Sequence, residues 1–213
     1  VAACVRAMQD AVSIPVTVKC RIAIDEDPER ETLFRFVDTI ADAGARAFTI
    51  HARKAWLKGL SPKENREIPP LNYDLVATLK DERRDLQIIL NGGIKTLDAC
   101  SEQLDVFDGV MLGRAAYQTP ALLGAVDQTL FDPGAAIVSP FDAVRNYRPY
   151  IQAQLAEGQR LSSITRHMLG LFNGMPGARQ WRRTLSEKAP KPGADISVLD
   201  EALEAVELNA LAC

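Results

Sequence analysis

Four short apolar runs in the first 115 residues alternate with longer amphipathic segments, and each run ends in a polar signature. The runs are rich in β-branched and aliphatic side chains. The segments between them place apolar residues at the period of a helix, as Leu33, Phe36, Val37 and Ile40 do. Buried parallel strands that alternate with helices produce this pattern. The sequence therefore predicts an α/β fold with a parallel sheet and helices outside it.

The alternation places each predicted element. Helices are expected at residues 1–13, 73–84, 96–104 and 120–130, and strands at residues 15–20, 47–50, 86–90 and 108–112. Thr96 is suited to cap one helix and Pro120 to begin another. A turn-rich linker at residues 132–140 follows, and beyond it the pattern predicts helices alone, at residues 141–155, 161–172, 179–187 and 197–208. We therefore expect a sheet domain at residues 1–131 and a small all-α helical bundle at residues 141–213.

The spacing of the strand ends indicates which sheet this is. Lys19, His51, Asn91 and Gly113 are spaced like the strand ends of successive units in a (β/α)₈ barrel, which needs about 250 residues and eight strands. Only four strands are recognisable, so the sequence predicts the C-terminal half of a TIM (β/α)₈ barrel. The chain opens on Val1 rather than Met, inside a helix whose predicted apolar face holds Val5, Met8 and Val12. We expect the first half of the barrel to lie upstream.

The strand ends also carry the candidate binding residues. Ligands of parallel α/β sheets bind at the carboxyl ends of the strands, and here those ends hold Lys19, His51, Asn91-Gly92-Gly93 and Gly113-Arg114. The glycines can turn tightly and offer backbone N–H groups to a phosphate, and Arg114 adds a guanidinium. We expect these groups to converge on one ligand. Two tight strand-to-helix turns are the alternative for the glycines.

Lys19 and His51 each allow two interpretations. A Lys at a strand end beside an apolar pocket needs an anion or acceptor, which a flavin ring offers and a neighbouring acid also could. His51 could hydrogen-bond a flavin, a substrate or a phosphate, or it could be a satisfied core histidine. His167, within a predicted helix, is expected to be structural or to lie at the surface.

Residues 52–70 form a long predicted loop, and such loops inside a compact domain are usually functional. The loop carries one Trp and five basic side chains, which are Arg53, Lys54, Lys58, Lys63 and Arg66. Basic residues interleaved with an aromatic suit a phosphate backbone and a stacked base. The alternative is a solvated lid whose charges pair internally, for example through Glu64 and Glu67.

Charge is divided along the chain although the net charge is only −3. Residues 141–191 hold nine Lys or Arg against three acids, and residues 192–213 hold five acids and no base. The basic segment predicts an anionic partner. Cys4, Cys20, Cys100 and Cys213 are dispersed without a Cys-x-x-Cys pair, so we expect reduced, buried thiols and no metal site. No apolar run reaches about 18 residues, so no membrane span and a cytoplasmic location are expected.

These motifs resemble the tRNA-dihydrouridine synthases over nearly the whole chain. The most specific match is the segment that begins with His51-Ala52-Arg53 and continues through residue 71, followed by residues 91–95 and residues 108–117. The resemblance implies that Lys19 and His51 contact the ring of FMN, while Asn91, Gly92, Gly93, Gly113 and Arg114 contact its ribityl phosphate. It also implies tRNA contacts from Lys63, Arg66, Arg179 and Arg182. Arg179, Arg182 and Arg183 would form one cationic helix edge, or otherwise a merely solvated helix face.

The reaction implied by the resemblance is reduction of the C5–C6 double bond of a uridine in the tRNA D-loop, at position 20 or its neighbour. NADPH would reduce FMN, the flavin would deliver hydride to C6 of a flipped-out base, and a cysteine would protonate C5. That cysteine belongs to an Asn-x-Gly-Cys-Pro segment that this sequence lacks, so we expect it upstream of Val1 and assign no general acid. Two alternatives stay open: another FMN-dependent oxidoreductase acting on a small molecule, and a non-catalytic RNA-binding remnant.

Overall fold

The computed structural model describes residues 1–211 and divides into two compact units, Val1–Gly113 and Arg114–Cys213. The first unit holds all the strands of the described chain, and the second is helical. Cys213, one of the cysteines expected to be buried, lies outside the described residues. None of the helices in residues 1–211 combines the length and apolar character that a membrane span requires.

The first unit is a four-stranded parallel sheet with helices between the strands, as the sequence predicts. Its strands are β1 (Val18–Arg21), β2 (Ala47–His51), β3 (Gln87–Asn91) and β4 (Gly109–Met111), hydrogen-bonded in the order β1-β2-β3-β4. The helices are α1 (Ala2–Ala11), α2 (Glu29–Ala41), α3 (Tyr73–Glu82) and α4 (Leu97–Leu104). Thr96 caps α4 by accepting a hydrogen bond from the N–H of Ala99 at 3.2 Å.

The two faces of the sheet differ in character because side chains alternate along each strand. One face is fully buried and apolar, formed by Phe48, Ile50, Ile88 and Leu90. The other face carries Lys19, Arg21, Thr49, His51 and Asn91, and it is only partly covered within the first unit. The polar groups therefore collect on one face, towards the carboxyl ends of the strands.

α1 differs from its prediction. Only Val5 is buried, whereas Met8 and Val12 are exposed, and so is Cys4, which was expected to be a buried thiol. The reason is that α1 packs against α2, which uses one edge of the helix and leaves the remaining apolar positions facing solvent. Cys100 is buried as expected, and Cys20 is half-buried.

The second unit consists, within the described residues, of helices and turns. Its α-helices are α5 (Arg114–Gln118), α6 (Pro140–Ala156), α7 (Leu161–Thr165), α8 (Ala178–Lys188) and α9 (Ser197–Leu211). Trp181 of α8 is fully buried, and its ring lies edge-on to Phe172 with the ring centroids 4.8 Å apart. Val144, Ile151, Leu185, Leu199 and Val206 complete much of this core. α8 and α9 pack closely, and a Cβ on Gly177 would lie 2.8 Å from the Cα of Val206.

Two segments of this unit that were predicted to be regular helices differ from that prediction. Residues 120–130 form a 3₁₀ helix (Pro120–Ala125) followed by a π-helix (Asp127–Phe131). The predicted helix at residues 161–172 ends at Thr165 and is followed by turns with i→i+3 hydrogen bonds, such as that from the N–H of Leu171 to the carbonyl of Met168 at 3.0 Å. The same carbonyl also accepts a hydrogen bond from the Trp181 indole at 3.0 Å. The predicted linker at residues 132–140 lies inside the second unit, where Val138 donates its N–H to the carbonyl of Gly124 at 2.9 Å.

Candidate functional site

The polar ends of the strands form a single row across the sheet. Strand pairing sets Arg21 beside His51, His51 beside Asn91, and Asn91 beside Met111. Lys19 lies two residues before Arg21 and therefore on the same face of β1. The residues predicted from three different strands thus share one face and one edge of the sheet.

Asn91 connects the outer strands of the row. Its Oδ1 accepts a hydrogen bond from Lys19 Nζ at 2.9 Å, and its Nδ2 donates to the carbonyl of Met111 at 2.7 Å. The side chain of β3 therefore reaches both β1 and β4. Both ends of the amide are used, so the amide plane is fixed and the Lys19 ammonium is held above the sheet.

The environment of β1 affects two titratable groups differently. Partial burial lowers the pKa of Lys19, Arg21 lowers it further, and Cys20 acts in the opposite direction. Burial raises the pKa of the Cys20 thiol to about 12, although Lys19 opposes this effect. A thiol with so high a pKa is a poor proton donor near neutral pH, which agrees with assigning no general acid to this residue.

The turn after β3 requires both of its glycines. Gly92 and Gly93 have φ angles of +115° and +75°, which disfavour any residue with a Cβ. A Cβ on Gly92 would lie 2.7 Å from His51 Cδ2, and one on Gly93 would lie 2.5 Å from Leu71 Cδ1. The Tyr73 hydroxyl donates a hydrogen bond to the carbonyl of Gly92. The turn is therefore packed tightly against His51, Leu71 and Tyr73.

The residues after β4 have more room. An added Cβ on Gly113 would meet no atom within 4 Å, and the residue is exposed. Arg114, the next residue, is the first of the second unit and begins α5. The structure therefore places Gly113 at the end of the β4 segment with open space beside its backbone.

The loop at residues 52–70 is organised by hydrogen bonds from arginine and asparagine side chains. Arg21 Nη1 donates to the carbonyls of Lys54 and Asn65, each at 2.9 Å. Arg53 donates to the carbonyls of Glu67 and Pro69, and its Nε is buried without a hydrogen-bond partner. Two guanidinium groups at the strand ends thus hold the backbone of the loop.

Asn65 closes the loop on itself. Its Oδ1 accepts from the N–H of Trp56 at 2.7 Å, and its Nδ2 donates to the carbonyl of Trp56 at 2.7 Å. Asp25, at a φ of +45°, accepts from the N–H of Leu57 and ties the loop to the segment after β1. Lys63 and Arg66 are exposed at a 3₁₀ helix (Glu64–Arg66) within this ordered loop.

The three arginines predicted to form a cationic edge on α8 are exposed, but they differ in their hydrogen-bond and ion-pair partners. Arg179, Arg182 and Arg183 are all exposed. Arg183 pairs with Glu187 one turn later at 3.1 Å, and Arg182 Nη1 donates to Asn173 Oδ1 at 2.7 Å. Within residues 1–211, Arg179 has no ion pair, so its charge is available to solvent.

The acids of α9 neutralise part of the basic segment. Arg145 pairs with Glu207, Arg148 pairs with Asp200 at 2.8 Å, and Lys188 pairs with Glu201. Arg148 lowers the pKa of Asp200 chiefly through its hydrogen bond. Together with Arg183, which pairs with Glu187, four of the nine basic side chains at residues 141–191 are therefore balanced inside the unit, and the excess positive charge lies on the others.

Sequence reasoning missed three residues of this arrangement. Arg21 and Asn65 organise the loop, and Tyr73 holds the Gly92 turn. The alternation of side chains along β1 was a usable signal for Arg21, since Lys19 and Arg21 must share a face. Asn65 and Tyr73 act through contacts that the spacing of residues in the sequence does not predict. Residues 1–211 contain no group of three His, Cys, Asp or Glu side chains arranged to hold a metal ion.

The fold and this cluster define a parallel α/β protein with a cationic, glycine-containing edge at the carboxyl ends of its strands. The chain belongs to the dihydrouridine synthase family, whose profile matches residues 1–207. It is 56% identical over 207 residues to a tRNA-dihydrouridine(20/20a) synthase of Yersinia pestis, covering 97% of this chain and 60% of that protein. The tRNA-dihydrouridine(20/20a) synthase of Pasteurella multocida is 55% identical over 206 residues, covering 97% and 63%. The chain thus spans about 60% of the length of these curated relatives.

A solved structure of mandelate oxidase with benzoyl-formic acid shares 14% sequence identity with the chain, at a TM-score of 0.41. The match covers 98% of this chain and 66% of that one. A likeness at this level carries no argument about cofactor or substrate.

Proposed function

We propose that the protein to which this chain belongs reduces uridine to dihydrouridine in the D-loop of tRNA, at position 20 or 20a. The observation that carries the proposal is the convergence of Lys19, His51 and Asn91 on one face at the carboxyl edge of the sheet. Family membership and the names of the relatives support the choice of reaction. In this proposal the described sheet is the C-terminal half of a (β/α)₈ barrel, and residues 141–213 form a helical tRNA-binding domain.

FMN fits the donors at this edge. The Lys19 ammonium and the His51 ring would meet the polar atoms of the flavin ring. Asn91, the backbone of Gly92, Gly93 and Gly113, and Arg114 would hold the ribityl phosphate, and the open space beside Gly113 supports this assignment. FMN supplies hydride transfer when bound, with NADPH as the reductant. The proposed role of this chain is to bind and orient the cofactor, because Cys20 of β1 lies on the opposite face of the strand from Lys19 and burial raises the pKa of its thiol to about 12.

tRNA is the proposed partner of two cationic surfaces. Lys63 and Arg66 are exposed on a loop whose backbone is already ordered, which reduces the entropy that RNA binding must overcome. Arg179 and Arg182 are exposed on α8, and the acids of α9 balance other cations of the same unit. The uncompensated positive charge is therefore restricted to part of the helical surface, as a defined phosphate contact requires.

Flavin binding tests the cofactor part of the proposal. Titration of the 213-residue chain with FMN, followed by quenching of flavin fluorescence, should show saturable binding. Lys19→Gln should weaken that binding about tenfold through loss of a charged hydrogen bond. Lys191→Gln, an exposed lysine of the helical unit, is the matched control and should bind as the unaltered chain does. Equal affinity in both variants would contradict the role of Lys19.

A chimaera tests the reaction. The chain can replace its matched segment in the Yersinia pestis relative, and the chimaera can be given NADPH and tRNA from cells that lack dihydrouridine. We expect dihydrouridine at position 20 or 20a, detected by mass spectrometry of nuclease digests. A soluble, FMN-loaded chimaera that leaves the uridines unchanged would overturn the proposed function.

A further inference from the structure

Four hydrogen bonds lie between two arginines on the surface of the helical unit. Arg182 Nη1 donates to Asn173 Oδ1 at 2.7 Å, and Asn173 Nδ2 donates to the carbonyl of Gln118 at 2.6 Å. The neighbour of Gln118, Tyr117, has its hydroxyl 3.1 Å from His167 Nδ1. Arg166 Nε then donates to His167 Nε2 at 3.1 Å. The arginine already proposed to contact tRNA is thus connected to a second exposed arginine through Tyr117 and His167.

Backbone contact holds this surface together. A Cβ on Gly170 would lie 2.2 Å from the carbonyl oxygen of Gln118, so only glycine allows the segment after α7 to lie against the end of α5. That close approach sets His167 beside Tyr117. The arrangement therefore depends on a specific backbone packing and not on the chance position of mobile side chains.

The hydrogen bonds also fix which atom of each ring donates. His167 Nε2 accepts from Arg166, so the ring proton of the neutral imidazole is on Nδ1 and is donated to the Tyr117 oxygen. The Tyr117 hydroxyl is then free to donate its own proton outward. The Nη groups of Arg166 form no hydrogen bond or ion pair with residues 1–211, so they also face solvent as donors.

The aromatic geometry leaves at least one face of the Tyr117 ring uncovered by His167. Tyr117 is 58% exposed, and its ring meets that of His167 edge to face, at 5.8 Å between centroids and an interplanar angle of 72°. By contrast, Tyr147 and Tyr150 of α6 stack on each other at 4.9 Å and 25°, so each covers a face of the other. An open tyrosine face between cations is the arrangement on which an unpaired base stacks.

We propose that Tyr117, His167 and Arg166 extend the RNA-contact surface of Arg182, with an unpaired nucleobase stacked on Tyr117 and a phosphate paired with Arg166. The inference rests on the proposed function, in which tRNA is the substrate. RNA is the partner that the chemistry favours, because the six side chains of this surface include two guanidinium groups and no carboxylate. These six are Tyr117, Gln118, Arg166, His167, Asn173 and Arg182.

Binding of a fluorescently labelled, unmodified tRNA transcript to the 213-residue chain tests the proposal, with anisotropy measured over a range of salt concentrations. Tyr117→Ala should weaken binding at least fivefold without changing the salt dependence, since stacking is not ionic. Tyr117→Phe keeps the ring and should retain most of the affinity. Arg166→Gln should weaken binding and reduce the log–log salt slope by about 0.7 to 0.9, the value for one phosphate contact.

Two variants of the same unit serve as matched controls. Tyr150→Ala removes an exposed tyrosine that has one face covered by Tyr147, and Arg145→Gln removes an exposed arginine that is paired with Asp142 and Glu207. Both should bind tRNA within twofold of the unaltered chain. Thermal unfolding of each variant verifies that the helical unit remains folded.

The outcomes separate this inference from the proposed function. Unaltered tRNA affinity in Tyr117→Ala and Arg166→Gln, together with weaker binding by Arg182→Gln, would overturn the extended surface and leave the proposed function in place. Absence of tRNA binding by the unaltered chain would overturn the tRNA part of the proposed function and this inference with it. A loss in Tyr117→Ala that is matched by an equal loss in Tyr150→Ala would also overturn the proposal, because the effect would not be specific to the surface.

Discussion

Lys19 of β1 donates a hydrogen bond to Asn91 of β3 at 2.9 Å, across the strand that lies between them. The same Asn91 side chain donates to the carbonyl of Met111 on β4. One amide thus connects the two edge strands of the described sheet with the central strand that carries it. The residues proposed to orient FMN are therefore also residues that hold the carboxyl edge of the sheet together.

Asn91→Ala should cost stability as well as cofactor binding. It removes two hydrogen bonds and leaves the Met111 carbonyl without its donor, which is expected to lower the free energy of unfolding by about 1–3 kcal/mol. Asn91→Asp retains an acceptor for Lys19 and should lose less stability, but its charge neutralises the ammonium and should weaken FMN binding. Urea unfolding and flavin titration measure the two effects. An Asn91→Ala variant as stable as the unaltered chain would contradict this account.

Gly113→Ala should lower FMN affinity with little change in stability, whereas Gly92→Ala should lower stability. The space beside Gly113 accepts a methyl group, so its substitution should change stability by no more than about 0.5 kcal/mol. It should still lower FMN affinity about tenfold, because the methyl group occupies space proposed for the phosphate. Gly92→Ala combines a positive φ with a contact of 2.7 Å to His51 and should lose at least about 1 kcal/mol of stability. Unchanged FMN affinity in Gly113→Ala would place the phosphate elsewhere.

Asn65→Ala should loosen the loop at residues 52–70. The N–H of Trp56 loses its acceptor, so we expect its amide to exchange with solvent faster by a factor equivalent to about 1–3 kcal/mol. Asn65→Asp is the matched control because it keeps the Oδ1 acceptor for that N–H and loses only the donor side of the amide. Hydrogen exchange followed by mass spectrometry distinguishes them. Equal protection of the Trp56 amide in all three proteins would show that Asn65 does not order the loop.

The Asp38 carboxylate should stabilise the folded state at neutral pH and lose that effect in acid. A bidentate hydrogen bond from Arg83, at 2.7 and 2.8 Å, holds the pKa of Asp38 below its usual value, with partial burial acting against it. A lowered carboxyl pKa stabilises the folded state above the unfolded pKa of about 3.9 and loses that effect as pH falls through the folded value. Asp38→Asn should therefore lose less stability than the unaltered chain between pH 7 and pH 3, by up to about 1 kcal/mol.

The control for Asp38 is Asp81→Asn, whose carboxylate pairs with Arg84 in an exposed contact. Its acid sensitivity should match that of the unaltered chain. Denaturant unfolding at each pH provides the measurement. If the free energy of unfolding falls equally in acid for Asp38→Asn and for the unaltered chain, the ion pair of Asp38 with Arg83 does not contribute to acid sensitivity.

Releasing the cations held by α9 should strengthen RNA binding. A triple variant, Asp200→Asn, Glu201→Gln and Glu207→Gln, frees Arg148 and Lys188 from their partners and leaves Arg145 paired with Asp142 alone. The log–log salt slope should steepen by up to about 0.7 to 0.9 for each cation that then meets a phosphate. Removing three exposed acids of the first unit, Asp74, Asp98 and Glu102, changes the net charge equally and serves as the control. Equal salt slopes in the two variants would mean that RNA binding depends on the net charge of the chain and not on the release of these particular cations.

The strands and their polar ends were predictable because each rests on a local pattern. Short β-branched runs place β2 and β3 to within a residue of their observed bounds, and the carboxyl ends of parallel strands must share an edge. Lys19, His51 and Asn91 follow from that geometry alone. Their exact partners do not, since the bond from Lys19 to Asn91 crosses 72 residues of sequence.

The features that sequence did not indicate depend on contacts between distant residues. The helix that begins at Leu161 ends at Thr165, and the segment after it lies where Gly170 approaches Gln118 and the carbonyl of Met168 accepts a hydrogen bond from the Trp181 indole. Residues 161–172 have ordinary helical periodicity, so tertiary contact overrides local preference there. Likewise, the exposure of Cys4 and Met8 reflects which edge of α1 meets α2, and periodicity does not specify that edge.

Two side chains on the same face of β1, two residues apart, each attach another part of the first unit to this strand by hydrogen bonds. Lys19 holds Asn91 beside the proposed cofactor position, and Arg21 holds the backbone of the loop that bears Lys63 and Arg66. A displacement of this strand would disturb both attachments together. Because coupling between two binding events is reciprocal, a ligand that fixes Lys19 would change the affinity of the loop for RNA by the same factor as RNA changes the affinity for that ligand. A four-residue strand thereby makes the two affinities change together, whichever ligand binds first.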